Sequence, residues 1–342
     1  MEQNETSKMI GLVACLTIIT VMVALIGWYL PVLMIATIWI STLPIVFIVV
    51  KWNEKVALIV IAIGYFLFAI ITQNLVNAAV ISFTFAFAGL SMGYSIKRKW
   101  EFRPLFSAVT VGYLLSILGS VVLVNTISGV NQIEKHIIEP MTIFLNNIQT
   151  TLQENIAQIA EHPIYGLLFN QIEREFDVQT YIYLLSAMIP AFFIIICMMF
   201  AYFTITASKM MLKRIGLPYS YLPSFHQLQA NRGTAWVYLL GYILLLFFEN
   251  STMRAAFVNI LLIISVLLAM CGLSVADYFV KRAGIYRFLR VIIYVIVFFA
   301  STLVATILPL LHPFNLLLIV GILDSMFDFR KLWRTKKGEY HG

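Results

Sequence analysis

The sequence predicts an all-α, polytopic transmembrane helical bundle, and three observations lead to this prediction. Hydrophobic residues make up 61% of the 342 residues and charged residues only 11%, whereas soluble chains average roughly 45–50% and 25%. The stretch from Met9 to Val50 contains no acidic, basic or histidine residue, and at about 20 residues per crossing it holds two spans. Runs such as AMIPAFFIIICMMF are apolar on every face, which excludes the alternating pattern of membrane strands.

Hydropathy predicts about ten spans, with boundaries that blur by several residues. The seventh and tenth are short, roughly 14 and 15 residues, so eight spans with two re-entrant or interfacial pieces is the alternative. In chain order the predicted spans are 9–28, 32–50, 56–73, 78–96, 104–126, 181–207, 235–248, 255–276, 290–309 and 314–328.

The basic residues predict the orientation, because Lys and Arg beside membrane spans concentrate on the cytoplasmic side. With the amino terminus inside, 20 of the 23 Lys and Arg residues fall in cytoplasmic segments, and only Lys135, Arg174 and Arg254 fall outside. Both termini are therefore predicted to be cytoplasmic. The net charge of +7 is explained by the lipid bilayer, so no nucleic-acid partner is expected.

Four segments follow from this order of spans. Residues 1–126 form an amino-terminal membrane half of about five spans, and residues 181–331 form a carboxy-terminal half of about five more. Residues 127–180 form an external insert, and residues 332–342 form a basic cytoplasmic tail.

The external insert is predicted to be helical and amphipathic, because its apolar residues recur at three- and four-residue steps. Pro140 must end, kink or begin a helix there. The insert is predicted either to rest on the bundle or lipid surface as a helical hairpin, or to act as a lid or partner-binding module. Its apolar face comprises Ile133, Ile137, Met141, Phe144, Ile148, Leu152, Ile156 and Ile159.

Small and amide residues within the spans predict how helices pack. Gly89 and Gly93 in GLSMG match the small-xxx-small pattern, which indicates either tight packing inside the bundle or a docking face for another membrane subunit. Asn259 lies in an apolar span, where an amide is more often a helix-to-helix hydrogen bond than a ligand contact.

The end of the last span, GILDSMFDFRK, holds the most informative charges. Asp324 precedes Arg330 by six residues, which places it about 9 Å deeper along a helix, where a carboxylate needs water or a partner. Asp328 is expected on the same helical face, where the two acids repel unless a cation separates them. Arg282, Arg287 or Arg290 is the expected source of that cation. A structural ion pair, a coupling or substrate site, and interfacial solvation are the three interpretations.

Asp277, at the end of the eighth span, is predicted to be an interfacial anchor paired with Lys281 four residues later.

A proline-aromatic elbow, LPYSYLPSFHQ, lies in the predicted cytoplasmic loop between the sixth and seventh spans. Pro218 and Pro223 block helix continuation, and Tyr221 and Phe225 suit the lipid headgroup layer. The elbow is predicted to be an interfacial turn or a docking site for a partner. His226 is not expected to be a catalytic base or metal ligand, since no second ligand stands at suitable spacing.

The sequence lacks the common catalytic motifs, which argues against an enzyme. The sequence has no HExxH, GxSxG or P-loop, and its three cysteines lie in apolar segments without a CxxC pair. No catalytic residue, metal or cofactor is therefore predicted.

Two family resemblances extend this interpretation. LPYSYLPSFHQ, CGLSVADYFVKR and GILDSMFDFRK occur in this order between residues 212 and 331, and together they resemble the YybS-like family of bacterial membrane proteins, known mainly as a domain of unknown function. The amino-terminal half, with Pro31 and Pro44 in uncharged spans and a glycine-rich fourth span, is similar to the S components of energy-coupling-factor vitamin transporters. The resemblance implies a multi-pass protein of the bacterial plasma membrane.

Two functions are expected from these observations. The first is a transport-related, S-component-like membrane protein that binds a substrate and docks an energising ATPase and coupling module. The second is a membrane scaffold or assembly factor that contacts envelope or sporulation proteins. A buried, partly polar pocket of roughly 300 Å³ or more, open to one side, would favour the first, and a solidly packed bundle with an apolar outer groove would favour the second.

Overall fold

The computed structural model describes residues 2–159, 178–216, 225–247, 251–305 and 312–331, and every regular element in these ranges is helical. This confirms the all-α prediction. The helices, numbered in chain order, are α1 (Glu2–Tyr29), α2 (Pro31–Lys51), α3 (Glu54–Thr72), α4 (Leu75–Lys97), α5 (Phe102–Ser128), α6 (Glu139–Ile159), α7 (Val178–Arg214), α8 (Arg232–Leu245), α9 (Ser251–Arg282), α10 (Arg287–Ala305) and α11 (Pro313–Phe327).

Each of the ten predicted spans coincides with one of these helices. Seven helices, α1 to α5, α7 and α9, are long and apolar enough to cross a membrane. The segments predicted to be short form α8 and α11, with 14 and 15 residues. The structure is thus an all-α polytopic membrane bundle, while ten spans and the cytoplasmic termini stay predictions.

Polar and proline residues set the helix boundaries. The Asn53 side chain caps α3 by accepting a hydrogen bond from the Val56 amide at 2.9 Å, and Asn74 caps α4 in the same way. Pro31 stands at the start of α2, where a missing N–H has no cost. The turns that connect α1 to α2, α2 to α3 and α3 to α4 are consequently short.

The described helices form two compact units, and α7 contributes to both. The first unit comprises Met1–Ile189 and Ile196–Leu222, and the second comprises Pro190–Ile195 and Pro223–Gly342. The predicted segments 1–126, 127–180, 181–331 and 332–342 divide the chain by its order, and that division stays a prediction.

Close helix packing in the first unit depends on Gly89 and Gly93 of α4. A Cβ added at Gly89 would lie 2.8 Å from Cβ of Ile45, and one added at Gly93 would lie 2.5 Å from Cβ of Val49. Both contacts are to α2 of the same chain, so the two glycines face a neighbouring helix of the bundle.

In the second unit α9 crosses α11 at two further glycines. A Cβ at Gly272 would overlap the carbonyl oxygen of Leu317, and one at Gly321 would overlap that of Leu268. Backbone therefore touches backbone here, which only glycine permits.

The described part of the insert, predicted to be external, comprises a π-helical turn, Glu134–Ile138, followed by α6. Pro140 is the second residue of α6, so it begins a helix, one of the three predicted roles. The apolar face differs in detail from the prediction: Leu145, which the periodicity left out, is buried, whereas Phe144 is 63% exposed. The insert residues 160–177 lie outside the described ranges.

Candidate functional site

The densest group of polar contacts in the second unit surrounds the segment 225–229, which leads into α8. We call this group the anchor cluster; it consists of residues 225–229 with Ser274, Asp324 and Arg330. Three elements position it: a 3-10 turn at Phe225–Gln227, α9, and the end of α11. Of the predicted elbow residues, Phe225 belongs to the cluster, while Pro218, Tyr221 and Pro223 lie outside the described residues.

A buried ion pair lies at the centre of the anchor cluster. Nη2 of Arg330 is 3.1 Å from Oδ2 of Asp324, and the side chains are 5% and 0% exposed. The contact is therefore a close ion pair, although its geometry falls short of a well-aligned hydrogen bond. Removing either partner would leave the other as an unpaired charge in a poorly solvating environment.

Arg330 also binds the backbone of the segment 225–229. Its Nη1 donates to the carbonyl of His226 and its Nη2 to the carbonyl of Leu228, both at 2.7 Å. Arginine suits this role because its planar guanidinium presents several donors in fixed directions. One side chain thus joins the end of α11 to two peptide groups of the segment 225–229.

Two neutral side chains complete the cluster, and sequence reasoning missed both. Ser274 Oγ donates to the carbonyl of Phe225 at 2.6 Å, and Gln229 Nε2 donates to the carbonyl of Asp324 at 3.2 Å. The polar run QLQAN and the serine within CGLSVAD were the available signals. Four side-chain hydrogen bonds therefore fix the segment 225–229.

The expected cation beside Asp324 was assigned to the wrong residue. Arg330 supplies it, and Arg290 instead pairs with Asp277. Asp328 does not continue the helix face: it adopts a left-handed conformation with φ 47° as the C-cap of α11, and its Oδ1 accepts from the Lys331 amide at 3.2 Å. This turn folds the chain back so that Arg330 reaches Asp324, which an uninterrupted helix would prevent.

Asp277 belongs to a second polar contact, between α9 and α10. Its Oδ1 accepts from Arg290 Nη1 and from Tyr294 Oη, each at 2.9 Å. The predicted pairing with Lys281 is not formed. Asp277 is half-buried and Arg290 approaches from a neighbouring helix, a better-shielded partner than a lysine on the same exposed turn.

Lys281 contacts the elbow instead. Its Nζ lies 3.2 Å from Nε2 of His226. The pKa of His226 is lowered from its usual 6.5, first by burial and then by the positive charge of Lys281, with smaller contributions from Arg290 and Arg330 against an opposing one from Asp277. Neutral imidazole is the favoured form, and it accepts a hydrogen bond from the lysine.

Asn259 makes the helix-to-helix contact that its position predicts. Its Oδ1 accepts from the Ala191 amide of α7 at 3.0 Å, and its Nδ2 donates to the Ala255 carbonyl at 2.8 Å. Pro190 interrupts the hydrogen bonding of α7 immediately before Ala191. The bond ties the Pro190–Ile195 segment to α9 and accounts for its place in the second unit.

The first unit contains a chain of three buried hydroxyl groups. Tyr113 Oη lies 3.2 Å from Thr42 Oγ1 and 2.6 Å from Thr204 Oγ1, and all three residues are at most 1% exposed. These bonds connect α2, α5 and α7 without any charge.

A cavity of about 40 Å³ also lies in the first unit, lined mainly by apolar side chains of α1, α2 and α4. Its hydroxyl groups, on Thr37, Ser41 and Thr84, each bond a carbonyl of their own helix. A volume of this size holds about three water molecules. Across the described ranges no three His, Cys, Asp or Glu side chains are close enough to hold a metal ion.

The fold and the anchor cluster define a class: an integral membrane protein in which the segment 225–229, at the end of a predicted cytoplasmic loop, is bound to the partners of a buried ion pair. The chain belongs to the DUF2232 family of predicted membrane proteins, whose family model matches residues 18–311. Neither the curated proteins nor the solved structures gave a match. The match includes part of each unit and ends before α11, so Asp324 and Arg330 lie outside it.

Proposed function

We propose that the protein is a non-enzymatic membrane scaffold or assembly factor of the bacterial plasma membrane. In this proposal both termini are cytoplasmic, and envelope or sporulation proteins bind at the elbow. The observation that carries it is the double hydrogen bond from the buried Arg330 to the carbonyls of His226 and Leu228. The described segment 225–229 is held in place before any partner arrives, and a segment ordered in advance loses little conformational entropy on binding.

The cavity volume supports a scaffold over a transporter. A vitamin-sized substrate requires a pocket of roughly 300 Å³ or more, and the cavity among α1, α2 and α4 measures about 40 Å³. The hydroxyl groups that line it already bond their own helices. This interior supports close packing of the first unit in preference to substrate capture.

Transport remains the second candidate because of Asp324. A fully buried carboxylate without an aligned hydrogen bond among the described residues is typical of coupling sites in membrane proteins. In that case an ATPase and coupling module, or an ion gradient, would supply the energy.

Site-specific photo-crosslinking separates the two candidates. A photoreactive residue in place of Gln227, which is exposed in the elbow, is expected to give adducts with envelope-assembly proteins in cells. The matched control replaces Arg103, an exposed residue on another predicted cytoplasmic segment, and is expected to give none of these adducts. Adducts with ATPase or coupling subunits, or substrate-dependent stabilisation of the purified protein, would contradict the scaffold proposal and favour transport.

A further inference from the structure

The turn between α9 and α10 presents basic and aromatic side chains together. We call residues 281–288 the basic-aromatic turn. Lys281 and Arg282, the last residues of α9, are exposed. Tyr286 and Phe288 are 84% and 78% exposed. Two cations and two rings thus face outward within eight residues of sequence.

The positive charge of this turn is not neutralised by its acidic neighbour. Asp277 is already bound by Arg290 and Tyr294. In the part of the chain that the structure describes, neither Lys281 nor Arg282 forms an ion pair with a carboxylate. The contact made by Lys281 is to the imidazole of His226, which carries no negative charge.

The charges that shift the pKa of His226 show the same excess of positive charge. Three cations, Lys281, Arg290 and Arg330, each lower the pKa of His226 after the larger effect of burial, and only Asp277 raises it. The ion pairs of Arg290 and Arg330 therefore leave a net positive potential beside the turn, which favours an anion there.

The exposed rings indicate the kind of anion. Tyr286 and Phe288 stand at the beginning of α10, an apolar helix whose outward residues include Val295 and Phe299. Aromatic residues at the ends of membrane helices lie at the level of the lipid headgroups. The turn is predicted to be cytoplasmic, and the cytoplasmic leaflet is the one rich in anionic lipids.

We propose that the basic-aromatic turn binds the headgroup of an anionic phospholipid of the cytoplasmic leaflet. Lys281 and Arg282 contact the phosphate oxygens, while Tyr286 and Phe288 pack against the glycerol and upper acyl groups. This inference requires no protein partner and so does not rest on the scaffold role; it shares with that proposal only the predicted cytoplasmic orientation.

Native mass spectrometry of the full chain, titrated with phosphatidylglycerol or phosphatidylcholine, tests the proposal. Each basic side chain at an anionic surface contributes on the order of a fivefold gain in affinity. The double variant Lys281→Gln, Arg282→Gln is therefore expected to bind phosphatidylglycerol about 30-fold more weakly, with phosphatidylcholine binding unchanged. The matched control, Lys55→Gln with Arg103→Gln, removes two exposed charges from the first unit and is expected to retain affinity.

A second variant, Tyr286→Ser with Phe288→Ser, keeps both charges and covers the case in which the charge variant misfolds. It is expected to weaken phosphatidylglycerol binding as well. Unchanged binding in either folded variant, or an equal loss in the control, would overturn the proposal. Displacement of the lipid from the wild-type chain by excess inorganic phosphate would assign the site to a soluble phosphate and would also overturn it.

Discussion

The two units use different chemistry for the same task of holding membrane helices together. In the first unit the contacts are uncharged: glycines of α4 against α2, and the hydroxyl chain through Tyr113. Its described ion pair, Lys97 with Glu54 at 3.8 Å, is about 40% exposed. In the second unit a buried ion pair and a half-buried one, Asp324–Arg330 and Asp277–Arg290, lie at helix ends.

This difference indicates which structural feature the polar contacts of each unit determine. Hydroxyl and glycine contacts define how helices cross, and each contributes little. A buried guanidinium costs several kcal/mol unless every partner is in place, so it fixes one conformation of the backbone it binds. The second unit therefore uses the charge of Arg330 outside the helices, at the segment 225–229.

The largest expected effect is at Arg330. The variant Arg330→Gln removes the partner of a fully buried carboxylate together with the guanidinium that binds two carbonyls, and is expected to lower the free energy of unfolding by about 3–5 kcal/mol. Arg103→Gln, which removes an exposed charge, is expected to change it by about 0.5 kcal/mol or less. Steric-trap unfolding in bicelles measures both changes in the free energy of unfolding. Equal changes for the two variants would show that the buried charge of the second unit stabilises the fold no more than an exposed charge of the first unit.

The next largest effect is expected at the crossing of α9 and α11. The variant Gly321→Ala places a methyl group on the Leu268 carbonyl, and separating the helices is expected to cost about 1–3 kcal/mol. At Gly233 of α8 nothing lies near an added Cβ, so Gly233→Ala is expected to be neutral or slightly stabilising. Thermal unfolding in detergent compares the two, and a neutral Gly321→Ala variant would contradict the backbone contact.

A smaller effect is expected in the first unit. Tyr113→Phe removes both hydroxyl contacts, and since such bonds in membrane helices average about 0.6 kcal/mol, a loss of about 1 kcal/mol is expected. Tyr183→Phe, at an exposed position, serves as the control and is expected to show no loss. A loss as large as that of Arg330→Gln would mean that the hydroxyl chain contributes as much to the free energy of unfolding as the ion pair does.

The smallest effect is a pH dependence at His226. Because its folded-state pKa lies below the usual 6.5, the unfolded chain binds more protons in the window below 6.5, and stability falls as the pH falls through that window. The contribution is complete above 6.5. The thermal midpoint of the wild-type chain is expected to decrease on acidification more than that of His226→Gln, and identical pH profiles would show that His226 makes no contribution.

The helices were predictable from the sequence because a long run of apolar residues predicts a membrane helix whatever tertiary contacts it makes. All ten apolar segments formed helices, and the short seventh and tenth segments remained short. Polar contacts depend on turns, which composition does not reveal. The left-handed residue Asp328 folds the chain back so that Arg330 meets Asp324, and a helical projection places these two residues apart.

The sequence likewise could not predict which of several cations pairs with each carboxylate. Spacing suggested Lys281 for Asp277, yet Arg290 reaches it from the next helix, a contact set by the crossing of α9 and α10. Gly272 and Gly321 were visible as glycines, but their pairing depends on which helices meet. Asn259 was predicted well because an amide within an apolar span has few alternatives to bonding a neighbouring helix.

Two double-mutant cycles test the contrast between the units most directly. One removes Asp324 and Arg330 singly and together, and the other does the same for Tyr113 and Thr204, with free energies of unfolding measured in the same bicelles. We expect a coupling energy of about 2–3 kcal/mol for the ion pair and below about 1 kcal/mol for the hydroxyl pair. Equal coupling energies, or a value near zero for Asp324 and Arg330, would contradict the conclusion that a charged anchor holds the segment 225–229.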